Sequence, residues 1–252
     1  MSLRRYSIIL AVKLAILIPA YNEEKHLAAC LQSVKDALAA CARQGLSAEV
    51  VVCDNASTDK TAEIARAGGA EVVFEPVRQI GRSRNAAAAA CDADWLLFID
   101  ADSQLEPRTL EGMLGAAFGG RCVGGGCLVD FDRTPWQWAL VRDFWNLLSW
   151  TFGLAAGSFL FCRADAFRAV GGFSQELYAA EEVELSGKLK RWGRARRLGF
   201  VILPGCRHVS SGRKFELYSW REYFRMILGA LFSPRSFLKD PRKLPAHYDG
   251  RR

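Results

Sequence analysis

Short apolar runs alternate with longer amphipathic segments along the first half of the chain. Four runs are predicted to be strands: Leu14 to Ile18, Glu49 to Cys53, Glu71 to Phe74, and the stretch from Trp95 to Asp102, in which five apolar residues lead into two carboxylates. A helix is predicted from about Tyr21 to Arg43, where apolar residues recur at helical spacing (Leu27, Leu31, Val34 and Leu38). A short helix is predicted over Thr61 to Arg66. This alternation over short connections predicts an α/β fold with a mostly parallel open sheet flanked by helices.

Polar clusters directly follow three of these strands. They lie at Tyr21 to Glu23, Asp54 to Asp59 and Asp100 to Asp102. In an open, doubly wound sheet, ligands bind outside the carboxyl ends of the strands. We therefore expect the three clusters to meet in one crevice and to form a ligand site there.

Asp100 and Asp102 follow five bulky apolar residues, and their spacing favours a cation site. If the strand continues through them, both side chains point to the same face of the sheet. Two carboxylates can hold Mg²⁺ or Mn²⁺ through oxygen and leave other positions to water and a substrate phosphate. The alternative is an Asp-rich turn or helix cap exposed to solvent, where aspartate is also favoured.

A glycine and two arginines open a further predicted helix, Gly81-Arg82-Ser83-Arg84-Asn85, which continues through alanines to Ala90. Helix N-terminal amides and guanidinium groups both favour anions, so this start is a candidate phosphate or sugar contact. The alternative is an alanine-rich packing helix with its arginines on the surface.

Different elements are predicted in the second half of the chain. They are a helix starting near Glu106-Pro107, a turn over Gly119 to Gly126, a strand from Cys127 to Phe131, an aromatic helix from Trp136 to Phe152 and a strand from Ala155 to Cys162. Polar and helix-breaking residues within the uncharged run from Phe144 to Cys162 favour these elements over a membrane span. Glu181 and Glu182 are expected at a helix N-terminus, where acids also serve as simple caps.

The C-terminal region combines an apolar stripe with basic charge. The stripe recurs at a/d-like spacing on one predicted helix: Leu217, Trp220, Phe224, Ile227 and Leu231. Packing onto the domain and lying at a membrane surface both agree with this pattern. Peripheral membrane association is therefore one hypothesis for this region.

The formal charge of +7 and the pI near 9.1 favour a polyanionic partner, such as a nucleotide, a nucleic acid or an anionic membrane face. Because no aromatic-rich binding motif accompanies the basic segments, no nucleic-acid partner is expected. The eight scattered cysteines are typical of small buried hydrophobes in a reducing compartment, and their spacing does not indicate a zinc site. Lys13 interrupts the N-terminal apolar run, which favours a strand over a signal peptide and predicts a cytoplasmic protein, with the inner membrane face as a further location.

Five motifs, in this order and spacing over about residues 13 to 200, resemble those of a family 2 inverting glycosyltransferase of the GT-A fold, which is Rossmann-like. They are I-P-A-Y-N-E-E (18 to 24), D-N-A-S-T-D-K-T (54 to 61), G-R-S-R-N (81 to 85), D-A-D (100 to 102), and G-G-F followed by the acidic pair at 181 and 182. The resemblance implies transfer of a sugar, with inversion, from a nucleotide sugar to an acceptor hydroxyl. It implies a UDP-sugar as the most common donor, and Mn²⁺ or Mg²⁺ as the cofactor.

The resemblance also implies roles for individual residues. The nucleotide sugar would be bound by Pro19, Ala20, Tyr21, Glu23, Asp54, Gly81, Arg84, Asp100 and Ala101. The metal would be held by Asp102 and Asp100, with His208 at the position of a late ligand; a lone histidine is otherwise usually structural. The general base would come from Glu182 or Glu181.

Two departures from the family pattern bear on mechanism. Glu-Asp is usual where this chain has Glu181-Glu182, so the base is a longer glutamate. The chain also lacks a Q-x-x-R-W motif, which disfavours a processive polymer synthase. A catalytically silent nucleotide-binding or membrane-adaptor protein of the same fold, and a nucleotidyltransferase, stay as alternatives.

Four regions are expected along the chain. They are an N-terminal extension (1–12), a nucleotide-sugar-binding half (13–132), an acceptor and catalytic half (133–215), and an amphipathic C-terminal helix with a basic tail (216–252). The apolarity of the aromatic and C-terminal helices favours a lipid-linked acceptor.

Overall fold

Seven strands form one sheet in the computed structural model, which describes residues 12–42, 46–132, 135–212 and 237–244. The strands are β1 (Val12–Ala20), β2 (Leu46–Asp54), β3 (Glu71–Phe74), β4 (Trp95–Ile99), β5 (Cys122–Phe131), β6 (Phe159–Arg163) and β7 (Gly199–Ser210). Their order across the sheet is β3-β2-β1-β4-β6-β5-β7. The first four pair in parallel, β6 runs antiparallel to both β4 and β5, and β7 is parallel to β5. The predicted mostly parallel α/β sheet is confirmed.

Helices connect the strands and flank the sheet. They are α1 (Leu27–Ala40), α2 (Thr61–Ala67), α3 (Ile80–Ala89), α4 (Pro107–Phe118), α5 (Trp136–Phe152), α6 (Ala164–Ala169) and α7 (Glu181–Arg194), followed by a short 3₁₀ turn at Pro241–Lys243. None of the helices in the described ranges is long and apolar enough to cross a membrane. The uncharged run of residues 144–162 divides between α5, a loop and β6, as the sequence predicts.

Two apolar layers cover the faces of the sheet, because β1 and β4 are buried on both sides. Alternate residues of β1 contribute to opposite layers, Ile16 to one and Leu17 to the other. Helices α1 and α4 pack in the first layer, and α3, α6 and α7 pack in the second. None of the described side chains of α5 belongs to either layer.

Several boundaries differ from the sequence predictions. Helix α1 begins at Leu27 because residues 21–26 form a loop in which Asn22 has the left-handed φ of 52°. Strand β5 begins at Cys122, so the predicted turn ending at Gly126 is wrong. A Cβ added to Gly125 would lie 1.9 Å from the carbonyl oxygen of Val201, so only glycine permits β5 to approach β7 this closely.

Some of the C-terminal region packs against the domain. The backbone N–H of Tyr178 donates to the carbonyl of Leu238 at 2.7 Å, and Leu244 is buried. The apolar stripe from Leu217 to Leu231 lies outside the described residues, as does the N-terminal extension up to residue 11.

Candidate active site

The ends of β1 and β2 form one side of a crevice. Ala20 and Asp54 are register partners, as are Pro19 and Cys53, and the backbone N–H of Asn55 donates to the carbonyl of Ala20 at 2.8 Å. The Asp54 carboxylate is buried and accepts from the backbone N–H of Ser57 at 2.9 Å. The first two polar clusters therefore lie together, as expected from their positions at parallel strand ends.

Hydrogen bonds between these two loops hold the following turn in place. The backbone N–H of Glu23 donates to the hydroxyl of Thr61 at 2.8 Å, and that hydroxyl donates to Asp59 at 2.5 Å. These hydrogen bonds lower the pKa of Asp59, although its partial burial acts in the opposite direction and is the largest single effect. The backbone N–H of Asn22 donates to Ser57 at 3.0 Å. The loop geometry thus rests on side chains of the D-N-A-S-T-D-K-T segment.

Arg78 covers the aromatic ring of Tyr21. Its guanidinium carbon lies 3.8 Å from the ring centroid, a cation–π distance, and its Nη2 atom is buried without a hydrogen-bond partner. The sequence carried no signal for this residue, because Arg78 lies between β3 and α3 and reaches Tyr21 only through the fold. The guanidinium group of Arg78 therefore has an N–H donor without a partner beside the loop that follows β1.

The third polar cluster follows β4, but the strand ends at Ile99 and residues 100–102 form a turn. Asp100 and Asp102 therefore do not lie on the strand, so the alternation of side chains along a strand does not place them on one face. Both still lie close to the first cluster. Burial raises the pKa of the Cys30 thiol to about 12, and Asp102, Asp100 and Glu23 add to the increase through their charges.

Arg84 connects this turn to the second half of the sheet. Its side chain is only 2% exposed, and it donates from Nη1 to Glu181 at 2.8 Å and from Nη2 to Asp100 at 2.9 Å. Nη2 also donates to the carbonyl of Gly157 at 2.9 Å. The alternative of a surface arginine does not hold for Arg84, which binds two carboxylates from distant parts of the chain.

Glu181 and Glu182 begin α7, as predicted, and differ in their surroundings. Glu181 is buried against Arg84, whereas Glu182 is half-buried. Burial raises the pKa of Glu182 to about 8, the adjacent charge of Glu181 raises it further, and Arg84 opposes this increase. Gly81 allows the approach of this region to α3, since a Cβ there would lie 2.9 Å from the carbonyl of Ser174 and 3.6 Å from Cγ of Glu181.

His208 lies on β7 and is fully buried. Neither ring nitrogen has a hydrogen-bond partner, and its ring centroid lies 5.3 Å from that of Phe159. Burial lowers the pKa of His208 to about 4, against the opposing charge of Asp100. A buried polar group without partners is unusual in a folded protein, so this imidazole is available to a further group.

A model of the family described as glycosyl transferase family 2 matches residues 15–169 of the chain. That match spans more than half of the sequence. The chain belongs to glycosyl transferase family 2. Among its relatives is an uncharacterized glycosyltransferase of Rickettsia typhi, which is 37% identical over 93 residues. That alignment covers 37% of this chain and 29% of the relative, so this chain corresponds to under a third of the longer protein.

Solved structures of glycosyltransferases share the fold of this family 2 chain. A mannosyltransferase from Pyrobaculum calidifontis, in complex with GDP-Man and Mn²⁺, superposes with a TM-score of 0.67 at 19% identity, covering 95% of this chain and 76% of the other. Glucosyl-3-phosphoglycerate synthase from Mycobacterium tuberculosis, in complex with Mn²⁺, UDP and glucosyl-3-phosphoglycerate, has a TM-score of 0.62 at 19% identity and covers 89% and 80%. At these identities the likeness concerns the GT-A fold.

The donor atoms of this family 2 chain are suited to a hard divalent cation. Within the described ranges, no three His, Cys, Asp or Glu side chains already stand in a metal-binding cluster. Asp100 and Asp102 nevertheless supply carboxylate oxygens at one turn, and His208 supplies two nitrogens without partners. Neutral imidazole and carboxylate are ligands that Mn²⁺ accepts, so these residues fit the metal on chemical grounds.

Proposed function

We propose that this chain transfers a sugar from a nucleoside diphosphate sugar, a UDP-sugar, to an acceptor hydroxyl with inversion at the anomeric carbon. Family membership supports glycosyl transfer as the reaction class. One observation carries the assignment to this site: Arg84 joins Asp100, on the nucleotide side, to Glu181, which begins the helix that also carries Glu182. A donor site and a candidate base therefore share one buried cation.

The nucleotide is proposed to bind at the ends of β1 and β2. Asp54 and Glu23 are buried carboxylates there that would accept hydrogen bonds from ribose hydroxyls or base donors, and Tyr21, whose ring carries Arg78 on one face, would lie beside the base. Pro19 and Ala20 would provide backbone, while Gly81 and Ala101 would leave room for the sugar and diphosphate. The hydrogen bonds that the backbone N–H groups of Glu23 and Asn22 donate to Thr61 and Ser57 support this assignment, because they fix the loop without a bound donor.

We assign Asp102, Asp100 and His208 to a Mn²⁺ or Mg²⁺ ion. When bound, such an ion neutralises negative charge on the departing diphosphate. The unpartnered nitrogens of His208 support this choice, because a buried imidazole without hydrogen bonds is otherwise costly. Arg84 would keep Asp100 oriented and would add positive charge near the diphosphate.

Glu182 is proposed as the general base, with Glu181 holding it in position through Arg84. In its ionised form, Glu182 would accept the proton of the acceptor hydroxyl while that oxygen attacks the anomeric carbon. The bond to the nucleoside diphosphate would break on the opposite face, and its electron pair would leave with the diphosphate. A pKa near 8 favours efficient proton acceptance close to neutral pH.

The same pKa supports a second candidate function, a catalytically silent nucleotide-binding protein. A glutamate with a pKa near 8 is mostly protonated at pH 7, and a protonated carboxyl cannot accept the acceptor's proton. On this reading the nucleotide would bind without turnover. The two candidates differ in one observable quantity, the release of nucleoside diphosphate on addition of acceptor.

The acceptor is proposed to be lipid-linked and located at the inner face of the membrane. Support comes from the exposed apolar side chains of α5. The loop that follows α5 contains Gly157. Because Gly157 bonds to Arg84, this loop lies at the acceptor side of the proposed site.

In the test, the chain is incubated with a panel of nucleotide sugars and with Mn²⁺, Mg²⁺ or EDTA, in the presence and absence of lipid extract. The measured quantity is the release of nucleoside diphosphate. Calorimetry on the same samples should show UDP binding that Mn²⁺ strengthens and that Asp102→Asn weakens. The exposed Asp36→Asn variant is the matched control and should bind like the wild type. Equal UDP affinity with Mn²⁺ and EDTA would contradict the metal assignment, and binding without any release would favour the silent protein.

A further inference from the structure

Helix α5 buries two polar side chains against the protein and exposes several large apolar side chains, although Trp138 near its start is buried and Asp143 is exposed. Asn146 is buried and bonds through its amide to both the N–H and the C=O of Val129, at 3.0 and 2.9 Å. Ser149 is also buried and donates to the carbonyl of Leu154 at 2.7 Å. The outer face carries five large exposed side chains: Leu140 (67% exposed), Phe144 (62%), Leu147 (61%), Trp150 (55%) and Phe152 (60%).

From Leu140 onward, this arrangement differs from that of an ordinary surface helix, whose apolar stripe faces the core. Leu140, Phe144 and Leu147 recur at spacings of four and three, so they form one continuous stripe. From typical side-chain areas, the exposed patch covers roughly 500 Å², the size of the largest apolar patch on a typical monomer, and such a patch is often functional. The surface therefore fits a partner that accepts apolar side chains.

Positive charge adjoins the C-terminal end of the stripe. Lys190 of α7 donates to the carbonyl of Phe152 at 2.7 Å, which fixes α7 against the end of α5. Four further arginines of the same segment are exposed: Arg191, Arg194, Arg196 and Arg197. An apolar helical face beside a basic cluster is the combination that binds anionic lipid surfaces.

Two other occupants agree less well with these observations. A second copy of the chain would bury only about 500 Å² on each side, below the roughly 800 Å² of a standard interface, and would bring two basic clusters together. The chain's own segment from 213 to 236 contains five basic and two acidic residues, so its net positive charge opposes docking beside α7.

We propose that the α5 stripe, with the basic cluster of α7, is a docking face for an anionic membrane surface. Phe144, Trp150 and Phe152 would enter the headgroup region, and the arginines would contact lipid phosphates. The loop that follows α5 reaches Arg84 through Gly157, so docking would hold the acceptor side of the crevice near the lipid surface. This inference rests on the proposed function only for the lipid-linked acceptor.

The test is co-sedimentation of the full chain with phosphatidylcholine vesicles that contain or lack 30% phosphatidylglycerol, at low and high salt. Wild type should bind the anionic vesicles and lose affinity as salt rises. F144E/L147E should weaken binding by about tenfold or more, and R194E/R197E should weaken it only on anionic vesicles. Phe118→Glu is the matched control, since Phe118 is an exposed aromatic residue on another helix, and should bind like the wild type.

UDP binding with Mn²⁺, measured by calorimetry on the same samples, shows whether a variant that does not bind vesicles is still folded. It also tests binding of the proposed donor independently of docking. The docking variants should retain wild-type UDP affinity. No vesicle binding by wild type at low salt, or equal binding by F144E/L147E and wild type, would overturn the proposal. A wild-type dimer in light scattering that F144E/L147E converts to a monomer, without vesicle binding, would assign the face to a second copy instead.

Discussion

The two sides of the crevice hold their polar groups in different ways. At the ends of β1 and β2, carboxylates and hydroxyls accept hydrogen bonds from backbone N–H groups, as Thr61 does from Glu23 of the neighbouring loop and Asp54 does from Ser57 of its own loop. At the start of α7, by contrast, charges are buried beside other charges. Arg84 lies between Glu181 and Asp100, and Glu182 has a raised pKa.

The first side depends on hydrogen bonds within and between loops, whereas the second depends on buried charge. The loop hydrogen bonds at the ends of β1 and β2 are local, although Nη2 of Arg78 beside them is buried without a partner. On the other side, which carries the proposed base and metal ligands, burial determines the protonation of Glu182 and His208, and a bound ion or substrate would change both. Substitutions on the acceptor side should therefore have larger and more pH-dependent effects.

The largest effect is expected from Arg84→Met, which removes the cation between two carboxylates. Buried Glu181 would be left without its partner, so the free energy of unfolding at pH 7 should fall by about 3–5 kcal/mol in urea titrations. Lys13→Met is the matched control, because Lys13 forms an exposed ion pair with Asp92, and should leave stability unchanged. Equal stability of the two variants would contradict the role of Arg84.

His208→Phe should reveal a pH-dependent term in stability. The native pKa of His208 is lowered to about 4 from 6.5, so between these values the unfolded chain binds a proton that the native protein does not. This term stabilises the wild type increasingly as pH rises from 4 to 6.5, by roughly 3 kcal/mol. Urea titrations of both proteins in EDTA should show that the free energy of unfolding of the wild type, minus that of His208→Phe, increases over this range and is constant above it. A pH-independent difference would contradict the neutral buried imidazole.

Glu182→Gln should retain UDP and metal affinity and lose transfer by on the order of 10²-fold or more. In the wild type, transfer should increase with pH well above the usual glutamate range, because burial raises the pKa of this base. Single-turnover transfer, measured beside calorimetric affinity, checks both statements. Glu181→Gln should also destabilise the fold, since it removes the buried negative charge that pairs with Arg84, whereas Glu182→Gln should not. Wild-type transfer rates in both variants would leave the mechanism without its base.

The smallest effect is expected from Thr61→Val on the nucleotide side. The substitution preserves shape but leaves the buried N–H of Glu23 without an acceptor, at a cost of about 1–3 kcal/mol in the free energy of unfolding. Because no charge is lost, this cost should not vary between pH 5 and 8. A cost that changed strongly over that range would weaken the contrast between the two sides.

Much of the fold was predictable from the sequence. The bounds of β3 and α5 match exactly, and α2 and α4 match within one or two residues, because their hydrophobic periods and flanking residues are local signals. The clusters after β1 and β2 could be placed together because parallel strands bring their carboxyl ends to one edge. Glycines misled the prediction at β5, where Gly124 to Gly126 lie in the strand rather than in a turn.

Local sequence patterns are sufficient to predict the order of the elements, the strand-end position of the acidic clusters and the acidic start of α7. The pairing of Arg84 with Glu181, which is 97 residues away, and the outward orientation of the exposed apolar residues of α5 depend on how distant segments pack. Helical periodicity specifies which residues share a face, but which face meets the protein depends on neighbours such as the backbone of Val129. A pKa likewise depends on burial and on nearby charge, and both arise only when distant segments pack together.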